Sequence, residues 1–214
     1  MRHETVEAGM LITFEGGEGA GKSTQVSILV DRLKRAGRHA VATREPGGSR
    51  AAEEIRETLL SGKIKPFGPF AEALLFSVAR QDHVDSMISS ALAKGQWVVC
   101  DRFLDSTRAY QGVTGGVPAP VISALERLTL HGLMPNLTIV LDIPVGEGLA
   151  RAGLRRAALD RFESQDLSQH ERIRKAFLDI AEEEQARCVV IDARKPEALV
   201  AEDVWEAVAE RLRP

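Results

Sequence analysis

Five short apolar runs recur along this chain, separated by stretches with helical periodicity, and that alternation leaves few folds open. The runs are Met10–Phe14, His39–Thr43, Trp97–Cys100, Leu137–Leu141 and Cys188–Ile191. Most are continuously apolar rather than alternating, as strands buried on both faces are. Between them lie amphipathic stretches such as Thr24–Ala36, Ala51–Leu60, Phe70–Ala93, Pro118–Leu130, His170–Ala186 and Pro196–Leu212. Strand alternating with helix predicts right-handed crossovers and a five-stranded parallel sheet covered on both faces, a three-layer α/β/α architecture. At 214 residues the chain is long enough for one domain with a sizeable core and short for two. The expected boundaries are a flexible tail over 1–9 and a single domain over 10–214. The segment Gly153–Gln165, rich in Arg and Asp, is expected to be a mobile surface excursion.

The first run opens into "GGEGAGKS", Gly16 to Ser23, which fits G-x-x-x-x-G-K-[ST] between a strand and a helix. Such a loop turns backbone N–H groups around phosphate oxygens. Lys22 brings positive charge to the β- and γ-phosphates, Ser23 a hydroxyl to Mg²⁺, and the following helix its N-terminal dipole. Gly16, Gly17, Glu18, Gly19, Ala20, Gly21, Lys22, Ser23 and Thr24 are therefore the expected ATP-binding residues of a P-loop NTPase-type fold. Glu18 is out of place in an anion cradle and needs another partner.

Charge and composition exclude several other classes. The formal net charge is −3, so no whole-protein field attracts a polyanion and nucleic acid is not an expected partner. Cys100 and Cys188 lie in apolar runs and read as buried thiols of a reducing compartment, not a disulfide. The histidines show no metal-ligand spacing. No apolar run nears the roughly 18 residues of a spanning helix, and the polar start lacks a signal-peptide core, so the expected location is cytoplasmic. The D-x-x-G and N-K-x-D motifs of a GTP switch are missing. A small P-loop domain with extra arginines favours a small-molecule kinase.

Four further stretches carry that expectation: "TREPGGSRAAEEIRE" from Thr43, "LLFSVARQDHV" from Leu74, "VVCDRFLDSTRAYQG" from Val98 and "ALDRFESQDL" from Ala158. The first and third follow strand ends on the phosphate-loop side of the sheet, where ligands collect. With the loop, the patterns "EGxEGAGKST", "TREPGG", "FxxxR", "DRxxxSxxAYQG" and "LDRxE" resemble the thymidylate kinase family from about Met10 to the C-terminus. The resemblance implies transfer of phosphate from MgATP to dTMP. The competing readings are a nucleoside monophosphate kinase of different base choice and an ATP-binding regulatory module without catalysis.

Residue by residue, the resemblance implies that Arg44, Arg56 and Arg102 clamp the acceptor phosphate, a task suited to guanidinium forks. Phe76 would stack on the base and Arg80, four residues on, would bond a base carbonyl; alone, Phe76 would read as a core residue. Ser106, Thr107 and Gln111 would contact the base edge, and Tyr110 would lie under the sugar and select deoxyribose. Glu18 would face the acceptor's 3′-hydroxyl, away from the ATP phosphates. This loop has Glu-Gly-Ala where some relatives carry an arginine. The catalytic charge would then come from a lid near 151–165: Arg155 or Arg156, with Arg151 and Arg161 also near phosphates. Ser23 is the expected magnesium ligand, Asp101 an expected partner behind it, and Glu163 would help hold either the ion or a lid arginine. The family implies a homodimer. Three departures stand out: Phe103 in place of Tyr or His, Arg108 in place of a small or apolar residue and expected to have a surface role, and Asn136, expected to be a turn detail.

Overall fold

The computed structural model describes residues 9–153 and 167–214. Five strands, β1 Leu11–Glu15, β2 Ala40–Arg44, β3 Trp97–Asp101, β4 Leu137–Asp142 and β5 Cys188–Asp192, form one parallel sheet in the order β2-β3-β1-β4-β5. Each of the five expected runs becomes a strand. Central β1 is buried at every position, whereas edge strands β2 and β5 are partly exposed, since only the centre is covered throughout. All five end on a charged residue, Glu15, Arg44, Asp101, Asp142 or Asp192. One edge of an apolar sheet therefore carries the chemistry.

The helices are α1 Lys22–Arg35, α2 Arg50–Leu60, α3 Gly68–His83, α4 Ser89–Ala93, α5 Leu104–Thr107, α6 Ala119–Leu130, α7 Val145–Gly153, α8 Leu167–Glu183 and α9 Glu197–Leu212. The expected single helix over Phe70–Ala93 is split by a π-helical turn, Val84–Ile88. A second π-helical turn, Arg108–Thr114, extends α5. Alternate residues of β1 feed two cores. Ile12 and Phe14 pack with Leu29 and Leu33 of α1 and Val204 and Val208 of α9. Leu11 packs on the other face with Ile88, Phe103 and Leu104. Cys100 and Cys188 are buried free thiols.

Helix ends explain where the sheet edge opens. Ser49 caps α2 by accepting from the Ala52 N–H at 3.3 Å. Helix α1 has no such cap. Gly21 precedes it at φ 90°, so its first-turn N–H groups stay available to a ligand. Gly9, placed with the tail by sequence, donates to the Leu92 carbonyl at 3.3 Å. The rest of the expected tail, 1–8, lies outside the described residues.

Candidate active site

A cleft of about 390 Å³ opens above the carboxyl ends of β1, β2 and β3. On one side lies the phosphate loop. Lys22 Nζ donates to the carbonyls of Gly17 at 2.7 Å and Gly16 at 3.1 Å. Burial, and then the Arg102 charge, push its ammonium down to about 8, against the pull of Glu18, Asp101 and Glu15. The Ser23 hydroxyl donates to the Asp101 carboxylate, so the two oxygen groups expected near magnesium are neighbours. Gly19, at φ 69°, passes so close to the Gly148 carbonyl that a Cβ would collide with it. That contact seats the loop against α7.

Arg102 stands at the centre. Its backbone has φ 68°, a left-handed conformation that costs an ordinary residue about 1 kcal/mol or more. The conformation is held on both sides. The Arg102 N–H donates to the Phe14 carbonyl at 2.9 Å and the Cys100 thiol to the Arg102 carbonyl at 3.0 Å. Its guanidinium donates to Glu18 Oε1 at 2.6 Å, Ser106 Oγ at 3.2 Å and the Gly16 carbonyl at 3.4 Å, and lies 5.2 Å from the Tyr110 ring centre. Tyr110 also donates to Glu18 Oε1 at 3.2 Å. Burial opposes the Arg102 charge, but Tyr110, Glu18, Asp101 and Glu15 hold it above the usual arginine range.

Beneath this cluster lies Glu15, fully buried at the end of β1. Its carboxylate accepts from the Phe103 N–H at 2.7 Å, the Ser106 N–H at 3.2 Å and the Ser106 hydroxyl at 2.7 Å. Burial and then the charge of Asp105 push its carboxyl up to about 7, despite the bonds from Ser106 and Phe103 and the Arg102 charge.

The far wall rests on a second buried acid, Glu45. It accepts from Arg80 Nε at 2.7 Å and faces His83 Nδ1 at 3.1 Å, while His83 Nε2 meets the Thr43 hydroxyl at 2.7 Å. The Arg80 Nη2 nitrogen donates to the Phe103 carbonyl and the Thr107 hydroxyl, both at 3.0 Å. Gly48, at φ 86°, runs against the His83 ring, leaving no room for a side chain. Arg44 pairs with Glu53 at 3.1 Å and Arg56 donates to the Pro46 carbonyl at 2.7 Å, which turns both toward the cleft. An uncapped helix start with a buried lysine thus shares a cleft with Arg44, Arg56, Arg80 and Arg102, which suits transfer of phosphate between two anions.

A family model described as thymidylate kinase matches residues 14–204. The chain belongs to the thymidylate kinase family. It is 54% identical over 208 residues to the thymidylate kinase of Bradyrhizobium diazoefficiens, covering 96% of this chain and 91% of that protein. It is 53% identical over 206 residues to that of Nitrobacter hamburgensis, covering 95% and 90%. The solved thymidylate kinase of Ehrlichia chaffeensis superposes with a TM-score of 0.77 at 30% identity, over 94% of this chain and 99% of that one.

The thymidylate kinase motifs that fall among the described residues converge as their order on the sheet requires. Glu18, Gly19, Gly21, Lys22, Ser23, Thr24, Arg44, Arg56, Phe76, Arg80, Asp101, Arg102, Ser106, Thr107, Tyr110 and Gln111 all line the cleft. Arg151 does not: it donates to the carbonyls of Ala193 at 2.7 Å and Arg194 at 3.3 Å, and Ala152 reaches the cleft instead. Arg155, Arg156, Arg161 and Glu163 lie outside the described residues. Two expectations need correction. Arg108 is not a lone surface charge but grips Glu126 with two bonds of 2.7 Å, Glu184 with one of 2.6 Å and Asp105 with one of 3.2 Å. Asn136 accepts from the Leu11 N–H at 2.8 Å, closing the start of β1. Sequence reasoning missed Glu15 and Glu45. The available signal for Glu15 was an acid at the end of a largely apolar run.

Proposed function

We propose that this chain transfers the γ-phosphoryl group of MgATP to dTMP, giving dTDP and ADP, as its family membership indicates. The observation that carries this proposal is the Glu18–Arg102–Tyr110 cluster. An acid of the phosphate loop reaches across to the acceptor wall and pairs there at 2.6 Å instead of facing the loop's own anion cradle. Glu18 can then receive the 3′-hydroxyl of the acceptor sugar, and Tyr110 beside it crowds the space of a 2′-hydroxyl. Arg44, Arg56 and Arg102 neutralise and orient the acceptor phosphate. Phe76 stacks on thymine, and Arg80, Ser106, Thr107 and Gln111 supply polar contacts around it. Lys22 and the open N–H groups of α1 hold the donor phosphates. The acceptor oxygen is already anionic near neutral pH, so no general base is needed, and catalysis reduces to alignment and charge neutralisation.

Ser23 and Asp101 offer a hydroxyl and a carboxylate side by side, the hard oxygen donors that suit Mg²⁺. Bound there, the ion would neutralise charge on the β- and γ-phosphates. On the sequence resemblance alone, Arg155 or Arg156 supplies the remaining charge from a lid near 151–165, with Arg161 and Glu163 beside it. The deciding experiment is initial-rate ADP release with MgATP against dTMP, dUMP, dCMP, dGMP, AMP and UMP. Preference for dTMP is expected. Preference for another monophosphate would discard the base-pocket assignments, and no acceptor-dependent turnover would discard the kinase.

Lys22 makes donor binding pH-dependent. In the free chain its ammonium is lowered to about 8, and the negative charge of a bound polyphosphate would raise it again. Below that pH the charge is already present; above it, binding must take up a proton. Calorimetric titration with MgATP should show uptake of about one proton per site at pH 9 and about a tenth of one at pH 7. Equal uptake at both, or uptake that survives Lys22→Met, would remove Lys22 from this role.

We also propose a homodimer in the cytoplasm. Among the described residues no helix is long and apolar enough to cross a membrane. Phe70, Leu74 and Val78 form an exposed apolar stripe along α3, with Phe67 just before it. Sedimentation equilibrium should give a two-chain mass that Phe70→Glu with Val78→Glu converts to one chain. A single-chain mass for the native protein at micromolar concentration would refute the dimer.

A further inference from the structure

The segment that forms the acceptor wall takes its shape from its surroundings: Ala109 packs with Phe177 of α8, Arg108 grips Glu126 and Glu184, and Arg80 donates to Thr107. Helix α5 has only four residues, and its continuation over Arg108–Thr114 is π-helical. Such short, strained turns do not persist on their own. Yet their phase decides that Ser106, Thr107, Tyr110 and Gln111 all reach the cleft. Something outside the segment must set that phase.

Beside these holds, one anchor of the first turn is Glu15, which acts through Phe103 and Ser106. Another involves Asp105, at a position the DRxxxSxxAYQG pattern leaves open. Asp105 is 1% exposed and does not line the cleft. Arg187, just before β5, donates to both its oxygens at 2.8 Å, a two-pronged pairing across 82 positions of chain. Arg187 is itself fixed. It donates to the Thr138 hydroxyl at 2.7 Å and pairs with Glu184, and the Thr138 hydroxyl meets that of Thr13 at 2.8 Å. Thr13 and Glu15 lie two apart on β1, hence on one face of the sheet. Both anchors therefore trace back to the strand that enters the phosphate loop. One grips Ser106 directly, and the other grips Asp105 through Thr138 and Arg187. Two consecutive residues held from one rigid strand fix a rotation that a single hold would leave free.

We propose that Asp105 and Arg187 are positioning residues for the acceptor nucleotide: their pairing sets the rotation of the 104–114 segment and so aims its side chains at dTMP. Neither touches the donor site. Their loss should weaken acceptor use while donor use stays intact, a split that general loss of stability would not produce.

The test rests on the proposed dTMP kinase activity, which the native protein must show first; without it that reading fails before this one is reached. Asp105→Asn leaves Arg187 with Glu184 as its ionised partner, and Arg187→Met leaves Asp105, among the described residues, with Arg108. Each is expected to raise KM for dTMP about tenfold or more, with KM for MgATP within about twofold. Because single changes strand a buried charge and can impair folding, the decisive variant is the double Asp105→Leu, Arg187→Met. It removes both charges and leaves Glu184 with Arg108 and Thr138 with Thr13. Its melting temperature should stay near native while KM for dTMP remains raised, no worse than in the more affected single variant. A stable double variant with native KM for dTMP, or singles that shift both KM values together, would overturn the proposal.

Discussion

Arg102→Ala should lower kcat/KM for dTMP by about a thousandfold while leaving MgATP affinity within a few-fold. One guanidinium joins Glu18, Ser106 and the Gly16 carbonyl. Its loss removes charge from the acceptor phosphate and frees Glu18 and Tyr110 from their common partner. Removing one preorganised donor from a charge-developing site costs about 10²–10³-fold, and a phosphoryl-directed arginine about 10³–10⁵-fold. The backbone gives a second readout from the same position. At φ 68° a side chain is strained and glycine is not. Arg102→Gly should be as inactive as Arg102→Ala yet about 1 kcal/mol more stable, or about 2–4 °C in melting temperature for a chain of this size. Calorimetry on the pair, with steady-state kinetics, checks both. A glycine variant no more stable than the alanine variant would mean that the left-handed backbone costs nothing. A loss of kcat/KM under tenfold would move the acceptor clamp to Arg44 and Arg56.

Arg80→Met should be the most destabilising single change in the cleft. Arg80 and Glu45 are 2% and 3% exposed at their side chains and only 2.7 Å apart. Removing the arginine leaves a buried carboxylate facing His83 and strips a donor from the Phe103 carbonyl and from Thr107. Breaking a buried pair in this way costs about 3–5 kcal/mol, about 6–20 °C here. Adding Glu45→Gln removes the stranded charge, so the double variant should regain much of the stability. It should not regain dTMP affinity, because no cation then faces the base. Thermal unfolding of the native, single and double proteins separates these effects. A loss below about 1 kcal/mol in Arg80→Met would show that Glu45 is satisfied without it.

Much of this site is legible from local pattern because its chemistry is local. The phosphate loop needs glycines, a lysine and a hydroxyl within eight positions, and a helix must start there. TREPGG and DRxxxSxxAYQG each follow a strand, so the parallel sheet brings them to one edge. Less visible is the shape of the acceptor segment. Residues 104–114 carry no 3.6-residue apolar rhythm, because their turn is partly π-helical and is stabilised from outside. Helix α7 was missed for a related reason. It is short, and two of its first four residues are glycines, which local propensity counts against a helix.

The strands and their order along the chain, the loop that takes polyphosphate and the family follow from the sequence alone, since each depends on residues close in the chain or on a recurring period. The partners of the buried charges do not. Glu15 meets Ser106, Glu45 meets Arg80 and His83, and Asp105 meets Arg187 across separations of 91, 35, 38 and 82 positions. Those meetings exist because the sheet is ordered β2-β3-β1-β4-β5, with β1 between β3 and β4. An acid in an apolar run shows that a partner is needed, since an unpaired buried charge is too costly to keep. Which residue fills that need is decided only when the strands are laid side by side.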